Sequence, residues 1–511
     1  MPVQVLSESD CDRIHEATLT VLAKTGVAFH HCPEAQAIFQ KVGCTVRRGR
    51  VFFPAEVVAE AMNLVPDRNT LTAFFPSLGY ARPLSVKQGE VNFGLVGNAY
   101  YIHDYEAGRS RDCLESDVQD KLLILDSLSN FQYDCCNLFT ASERGIGRPV
   151  PRDYGSLEAC LAFLRRWVKG RAVSGRKPQP IGDRNAAPEE RRLAILGHAV
   201  LEGGAATRAI LARRTAFCWC NPLSPLQYKA SEAEAMIRLA RAGKGWNFIS
   251  PEVMLGGTGP VTLAGALVQH NAEVLAGVIL SQLARSGSPC LYGCVSAPMD
   301  LRSAEISHGN FETALFNAAV VQLADRYGLP SRISPGNTSD NKPSPRALAE
   351  TAVGLYLGAA AGGNIITTGL LDSTVMLSYE HMVMVNELIG QVRSVAGGVC
   401  TDADSLALGV IAEVAREGGD YLGHVHTLEN MKRDVYYSEF NGRIGHSFED
   451  SYEKAHRRVT EVFARRDTDA HVDREILARL AAVETYLEKD DGGWRSGGEE
   501  RLLSIIENLG L

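Results

Sequence analysis

From about residue 130 onward, short apolar runs alternate with long Ala- and Leu-rich stretches. The apolar runs predict strands at Gln132–Asn137, Thr215–Cys220, Trp246–Ser250, Pro289–Val295, Pro330–Ser334 and Asn364–Thr368. Between and after them, apolar positions recur at helical spacing over Ser231–Ala242, Leu263–Arg285, Phe311–Tyr327, Pro345–Gly362 and Tyr379–Val395. Repeated strand–helix units predict a parallel sheet covered by helices on both faces. So many units in one chain favour an α/β fold of the (β/α)8 TIM-barrel type. An open doubly wound sheet is the alternative that periodicity leaves standing.

The flanks read differently. Ser9-Asp10-Cys11-Asp12 resembles a capping box, and Ile14, Ala17, Val21 and Leu22 then share one helical face up to Gly26. Residues 1–90 are therefore expected to form an N-terminal helical region, with a short strand at Arg50–Phe53. Val91–Gly94 and Tyr100–Asp104 alternate as a hairpin would. The barrel is expected over 91–430 and a C-terminal helical extension over 431–511. Residues 488–498 read as a linker before a last helix, Glu499–Leu509. A basic, Pro- and Gly-containing stretch at 165–192 reads as an insertion, either a solvated loop or a docking surface for an acidic partner.

Bulk properties exclude several classes. The chain has 511 residues, 45% hydrophobic and 22% charged, an ordinary globular composition. A net charge of −8 with no long basic run argues against nucleic acid as a partner. No apolar run of about 20 residues was expected to span a membrane, and the first residues do not read as a signal peptide. A cytoplasmic protein is the expectation. The twelve cysteines lack zinc-type spacing, so buried thiols are expected and no metal. Two pairs, Cys218 with Cys220 and Cys290 with Cys294, share a strand face and leave a thiolate metal site as the sharper reading.

Sites in a barrel gather where strands end. Gly256-Gly257-Thr258-Gly259-Pro260-Val261-Thr262 is a Gly-rich turn entering a helix, suited to close approach by a ligand or to an anion at the helix start. Asp300, Asp340 and Lys342 follow strands, while Asn271 and Glu273 lie inside the helix after the Gly-rich turn and need partners if buried. His424 and His426 share a face if extended. Phe93, Tyr100, Tyr101, Trp219, Trp246, Phe248 and Tyr292 cluster near strand ends and include candidates for a cage around an ammonium group. Core packing or a structural salt bridge is the plainer reading of each residue alone.

Several motifs occur together in one order: Ile14-His15-Glu16-Ala17; Gly97, Tyr101, Asp104, Gly108, Arg109 and Arg111; Ser224-Pro225-Leu226; Gly259-Pro260-Val261-Thr262 with Asn271-Ala272-Glu273; Asp340 with Lys342; Gly362-Gly363-Asn364; Ser378-Tyr379-Glu380; and Leu422-Gly423 with His426-Thr427-Leu428-Glu429. In this order the chain, over about residues 8–485, resembles the trimethylamine methyltransferase family of corrinoid-dependent enzymes. The resemblance implies a (β/α)8 barrel that moves a methyl group from a small methylated amine to the cob(I)alamin cobalt of a partner corrinoid protein. Only standard residues are present, which resembles the branch without pyrrolysine, whose members demethylate quaternary amines such as glycine betaine. It implies catalytic roles for Asp340, Lys342 and Glu273. Substrate contacts would fall to Tyr101, Phe248, Tyr292, Gly257, Asp300 and His426, and corrinoid contacts to Gly256, Gly259 and Asn337. Self-association into a homo-oligomer is also implied. The segment Ser339-Asp340-Asn341-Lys342-Pro343-Ser344-Pro345-Arg346 departs from the family's more usual Thr-Asp-x-Lys-Pro-Asp-x-Gln. A metal-assisted enzyme of the same fold and a non-catalytic methylamine- or betaine-binding protein are the rival expectations.

Overall fold

In the computed structural model, all residues are described except 1–2, 75–82, 141–147, 150–156, 159, 163, 166–167, 169–187, 214–215, 244, 441–449, 466–471, 491 and 497. Most of the basic insertion, and so the docking surface expected there, lies outside the described residues.

Among the described residues, seven parallel strands form the centre: β1 (Asn92–Ala99), β2 (Tyr133–Thr140), β3 (Ala216–Cys220), β4 (Gly245–Ile249), β5 (Cys290–Gly293), β6 (Ser331–Gly336) and β7 (Ile365–Thr368). Their order is β2-β1-β7-β6-β5-β4-β3, with the short segment Arg148–Pro149 antiparallel on the outer edge of β2. First and last strands pair, Ile365 opposite Asn92 and Thr367 opposite Gly94, so the sheet curls. Among the described residues it stays open between β2 and β3. The strands carry Val, Ile, Phe, Trp and Cys on both faces, as a sheet covered on both sides requires.

One expectation needs correction here. Val91–Gly94 does not form a hairpin with Tyr100–Asp104: Asn92–Ala99 is the first parallel strand, and the hairpin is Tyr101–Asp104 with Arg109–Asp112. The alternation at Val91–Gly94 reflects a strand with one face in the lumen, which period two cannot distinguish from a hairpin arm.

The helices begin where side chains can satisfy free amides. α1 (Glu8–Lys24) is capped reciprocally by Ser7 and Asp10, two residues before the predicted box. α2 (Ala230–Ala242) ends at Gly243, which has φ +69°. α3 (Leu263–Ala284) and α4 (Phe311–Arg326) follow β4 and β5. α5 (Pro345–Ala360) has Pro345 in its first turn and Ser344 accepting from the Ala347 amide, and α6 (Tyr379–Ala396) starts on Ser378 in the same way.

The reading that the chain holds no apolar run of about 20 residues needs correction: the 22 residues of α3 are long and apolar enough to cross a bilayer by length and composition. Most of them are buried, with α1, α2 and α4 packed against the helix, so its apolar surface is spent inside the fold. The N-terminal region also holds a three-stranded antiparallel sheet, Val27–Ala28 with Arg50–Phe52 with Thr45–Arg47, more strand than the sequence suggested. The expected linker at 488–498 contains Trp494, fully buried in a second core with Leu196, Leu480, Val483 and Leu502. The Gly run around it reads as a linker, but the one large apolar side chain anchors it.

α5 lies so close to β6 that a Cβ on Gly354 would stand 1.7 Å from the Pro335 carbonyl oxygen. That oxygen belongs to backbone in mid-sheet and has no room to yield. Gly354→Ala should therefore destabilise the protein by about 3 kcal/mol, read as a lower urea midpoint. An unchanged midpoint would mean that helix and strand are further apart than described.

Candidate active site at the strand ends

Alternation assigns each strand residue to the lumen or to the helix layer. Ile333 of β6 points outward, where it would meet Cβ atoms on Gly358 and Gly363 beside α5. Arg332 must then point inward. Its backbone neighbours in register, Gly293 on β5 and Ile365 on β7, are inward too. The floor of the lumen is apolar: Tyr133, Trp246, Phe248, Leu291 and Ile365 are buried together, with Leu84 and Val86 closing it. The Tyr133 hydroxyl donates to the Ile366 carbonyl at 2.9 Å.

Above this floor the lumen turns polar. The Arg332 guanidinium lies over the Trp219 ring at 5.3 Å from its centroid, and Trp219 packs edge-on against Phe248 at 5.0 Å. Arg332 is 3% exposed. It donates once, to the Cys294 carbonyl at 3.3 Å, and its Nε has no partner. No carboxylate lies within ion-pairing distance of it among the described residues. Burial lowers its pKa, but a guanidinium stays charged.

Around it are Ser250, whose buried Oγ lacks a partner and fills the space that a Gly293 side chain would need, and His308, whose Nδ1 is also unpartnered. Burial, with Arg332 nearby, pushes His308 down to about 4, so its imidazole is neutral at pH 7. Glu252 follows β4 with the same parity as Phe248 and Ser250. Solvent reaches it, yet surrounding protein desolvates its carboxyl and raises its pKa, with Arg332 the one charge opposing that shift. Asn337, just past β6, is buried, accepts from the Leu370 amide at 3.2 Å and leaves its Nδ2 unpartnered.

The residues singled out from sequence fall into three places. Phe248 and Asn337 belong to the lumen and its rim. Asp340 is half-buried on the loop after β6, where it accepts from Ser344 Oγ; its carboxylate lies in electrostatic reach of His381, Tyr452 and Asp372, and its carbonyl accepts from the Asp372 amide at 2.8 Å. Lys342 is exposed on that loop. Tyr101 starts the hairpin and packs against Ala347, Leu371 and Met376.

The others lie in the helix layer or on outer loops. Tyr292 points outward and donates to Asn271 Oδ1 at 2.9 Å, while Asn271 donates to Thr18 and Tyr327. The Gly256–Gly259 turn closes on itself: the Gly257, Thr258 and Gly259 amides all donate to the Met254 carbonyl, and the Gly256 amide donates to that of Gly259. None of the four is left for an anion. Asp300 is engaged by Arg302 at 2.6 Å, which holds its carboxyl down to about 2. His424 caps a helix, Val425–Asp434, by accepting from the His426 amide, so the two histidines are not extended. None of the twelve cysteines is in a disulfide, and no three His, Cys, Asp or Glu side chains converge as metal ligands among the described residues.

Glu273 has a structural setting. It accepts from Ser224 Oγ and the Leu226 amide, each at 2.8 Å, and from Gln269 Nε2 at 3.0 Å, tying α3 to the loop after β3. Sequence reasoning missed Arg332, Glu252 and His308. For Arg332 the signal was present: a charge inside an otherwise apolar run, with the parity opposite to Ile333.

A parallel α/β sheet with a polar, aromatic-walled lumen at its strand ends is the arrangement of an enzyme of barrel type. The profile described as "Trimethylamine methyltransferase (MTTB)" matches residues 1–137 and 198–483, and the chain belongs to that family. It is a methyltransferase by membership. It is 28% identical over 495 residues to the glycine betaine methyltransferase of Desulfitobacterium hafniense strain Y51, covering 96% of this chain and 98% of that one. It is 30% identical over 421 residues to the trimethylamine methyltransferase MttB of Methanosarcina barkeri, covering 81% and 80%. Among solved structures, the monomethylamine methyltransferase MtmB of Methanosarcina barkeri aligns with TM-score 0.46 and 12% identity, over 94% of this chain and 86% of that one. The unmatched stretch 138–197 contains the basic insertion.

The Glu273 setting carries a prediction. Burial raises its pKa from 4.5 to about 7 against the pull of its three donors. The folded protein then holds this proton more tightly than the unfolded chain does. Its contribution is fullest below pH 4.5 and is lost as pH rises through 7. Glu273→Gln keeps the shape and removes the titration. Between pH 4.5 and 8, denaturant unfolding should show stability shifting in the variant's favour by on the order of 3 kcal/mol. A pH-independent difference would refute the assignment.

Proposed function

We propose that the protein transfers a methyl group from a small quaternary or methylated amine to the cobalt of a corrinoid carried by a partner protein. The observation that carries this reading is the lumen wall of Trp219 and Phe248 below a polar mouth, in a chain of this family. Aromatic faces hold methylated ammonium groups without forming bonds that must break. The same reading includes a complete eight-fold barrel over 91–430, flanked by an N-terminal region, 1–90, and a C-terminal extension, 431–511.

A corrinoid delivered by its carrier would supply a reduced cobalt nucleophile for the methyl carbon, and the amine nitrogen would keep the electron pair of the broken carbon–nitrogen bond. The chain's own residues orient the amine and exclude water. Positive charge leaves nitrogen in the transition state, so a tight carboxylate pair at that nitrogen would favour the ground state and slow the step. The aromatic wall meets this condition. The sequence contains no Asp-x-His-x-x-Gly corrinoid-binding signature, which supports delivery on another protein.

Among the residues proposed from sequence, Phe248 and Asn337 remain for substrate and corrinoid contact, with Asp340 at the mouth. For Glu273 we propose positioning of the loop after β3. Exposed Leu406, Leu408, Ile411, Leu422, Val425 and Leu428 support a contact face for self-association, and twelve cysteines outside any disulfide support a reducing, cytoplasmic setting.

The test is to mix the protein with cob(I)alamin and single methylated amines and follow the visible spectrum. Conversion to methylcobalamin with one amine is expected. Asp340→Ala should lower that rate at least about tenfold if Asp340 acts at the mouth, a loss of about 1.4 kcal/mol of transition-state stabilisation. Silence with every amine, both with free cobalamin and with a corrinoid protein added, would overturn the reading.

A further inference from the structure

Arg332 poses a question that methyl transfer from an amine does not answer. A cationic substrate gains nothing from a buried guanidinium in the same lumen and is repelled by it. A buried charge without a partner is costly, and a fold keeps one where a ligand completes it. Three buried polar atoms around this point lack partners: Arg332 Nε, Ser250 Oγ and His308 Nδ1. They come from β6, from the residue just past β4 and from the loop before α4, so no single local turn accounts for them. The Gly-rich turn, the obvious alternative for holding an anion, has spent its amides internally.

We infer that Arg332, with Ser250 and His308 beside it, anchors the carboxylate of a zwitterionic substrate, a methylated ammonium joined to an acid group by a short linker. The guanidinium is the one group in the lumen that suits a carboxylate by charge and by its paired donors. Trp219 covers the guanidinium on one side, 5.3 Å from ring centroid to Cζ. The ammonium end then lies away from the guanidinium that would repel it. Anchoring the end that does not react leaves the methyl group facing the opening. The inference rests on the methyl-transfer reading for its chemistry but not for its binding.

Two measurements separate the failures. Calorimetry follows binding of glycine betaine and of tetramethylammonium, which have the same ammonium group with and without a carboxylate. The cobalamin assay follows kcat/KM for both. The expected result is a preference of roughly 100-fold for the zwitterion in binding and in turnover, the effect of a desolvated charge-assisted pair. Arg332→Gln should collapse that ratio to within about threefold of unity, and Arg332→Lys, which keeps the charge, should retain part of it. Removing an unpaired buried charge should not unfold the chain, and an unchanged thermal midpoint in both variants checks this. Equal binding of the two ligands by the wild type, or a ratio untouched by Arg332→Gln, overturns the carboxylate anchor whatever the enzyme does with methyl groups. Tight zwitterion binding that depends on Arg332, with no methyl transfer from any amine, upholds the anchor and overturns the methyl-transfer reading instead.

Discussion

The outward packing of Ile333 and Ile366 against the helix layer sets the register on which the site depends. Because strand side chains alternate, sending these two residues outward sends Arg332, Ile365 and Thr367 inward. A slip of one residue in β6 would place a guanidinium against α5 and an isoleucine over Trp219. The fold forbids that slip through close approach: Gly354 brings α5 onto the Pro335 carbonyl, and Gly358 and Gly363 accept the Ile333 side chain. Small residues on a helix thus determine which charge faces a ligand on the far side of the sheet.

The loops use the same economy. Several strand ends are held by groups already engaged in hydrogen bonds: Glu273 holds the loop after β3, Thr258 and Gln269 the turn after β4, and Thr338 with the backbone carbonyl of Asp340 the segments after β6 and β7. Against that background the unpartnered atoms of Ser250, His308, Arg332 and Asn337 stand out, since buried polar groups are normally paired. They face the lumen or its rim, and the saturated groups lie behind it. Unpartnered atoms also occur outside the lumen, as at His270 Nε2 and Trp494 Nε1, so it is their convergence on one charged group, Arg332, that separates site from scaffold here.

That separation explains how far the sequence could be read. Strands such as Ala216–Cys220 and Ile365–Thr368 were legible because apolar runs bounded by polar turns carry their own signal, and long helices such as α3 and α5 because of their periodicity. β1 was not, since Asn92–Ala99 alternates like any half-exposed strand and only its pairing with β7 places it in the sheet. In the site, Phe248 was visible as an aromatic at a strand end. Glu252 was not, because a charge just past an apolar run looks like a boundary, and Arg332, a charge inside its run, shows its side only once the parity of Ile333 is known. Tyr292, Asp300 and Gly256–Gly259 looked functional by type, and only their partners reveal that their capacity is used within the fold.

The division of charge in the lumen has a kinetic consequence. Binding energy gathered at a carboxylate is the same before and during methyl transfer, so by itself it lowers KM and not the barrier. It becomes useful when it holds the reacting end in line with the incoming nucleophile, which converts uniform binding into orientation. At the other end, positive charge disappears as the carbon–nitrogen bond breaks, and any group that stabilises the cation opposes the reaction. An aromatic face stabilises it weakly; an ionised carboxylate would do so strongly. The raised pKa of Glu252 follows from desolvation, which disfavours its ionised form in the unliganded protein. The arrangement therefore places firm electrostatic attachment where charge is conserved and soft, polarisable contact where charge is lost.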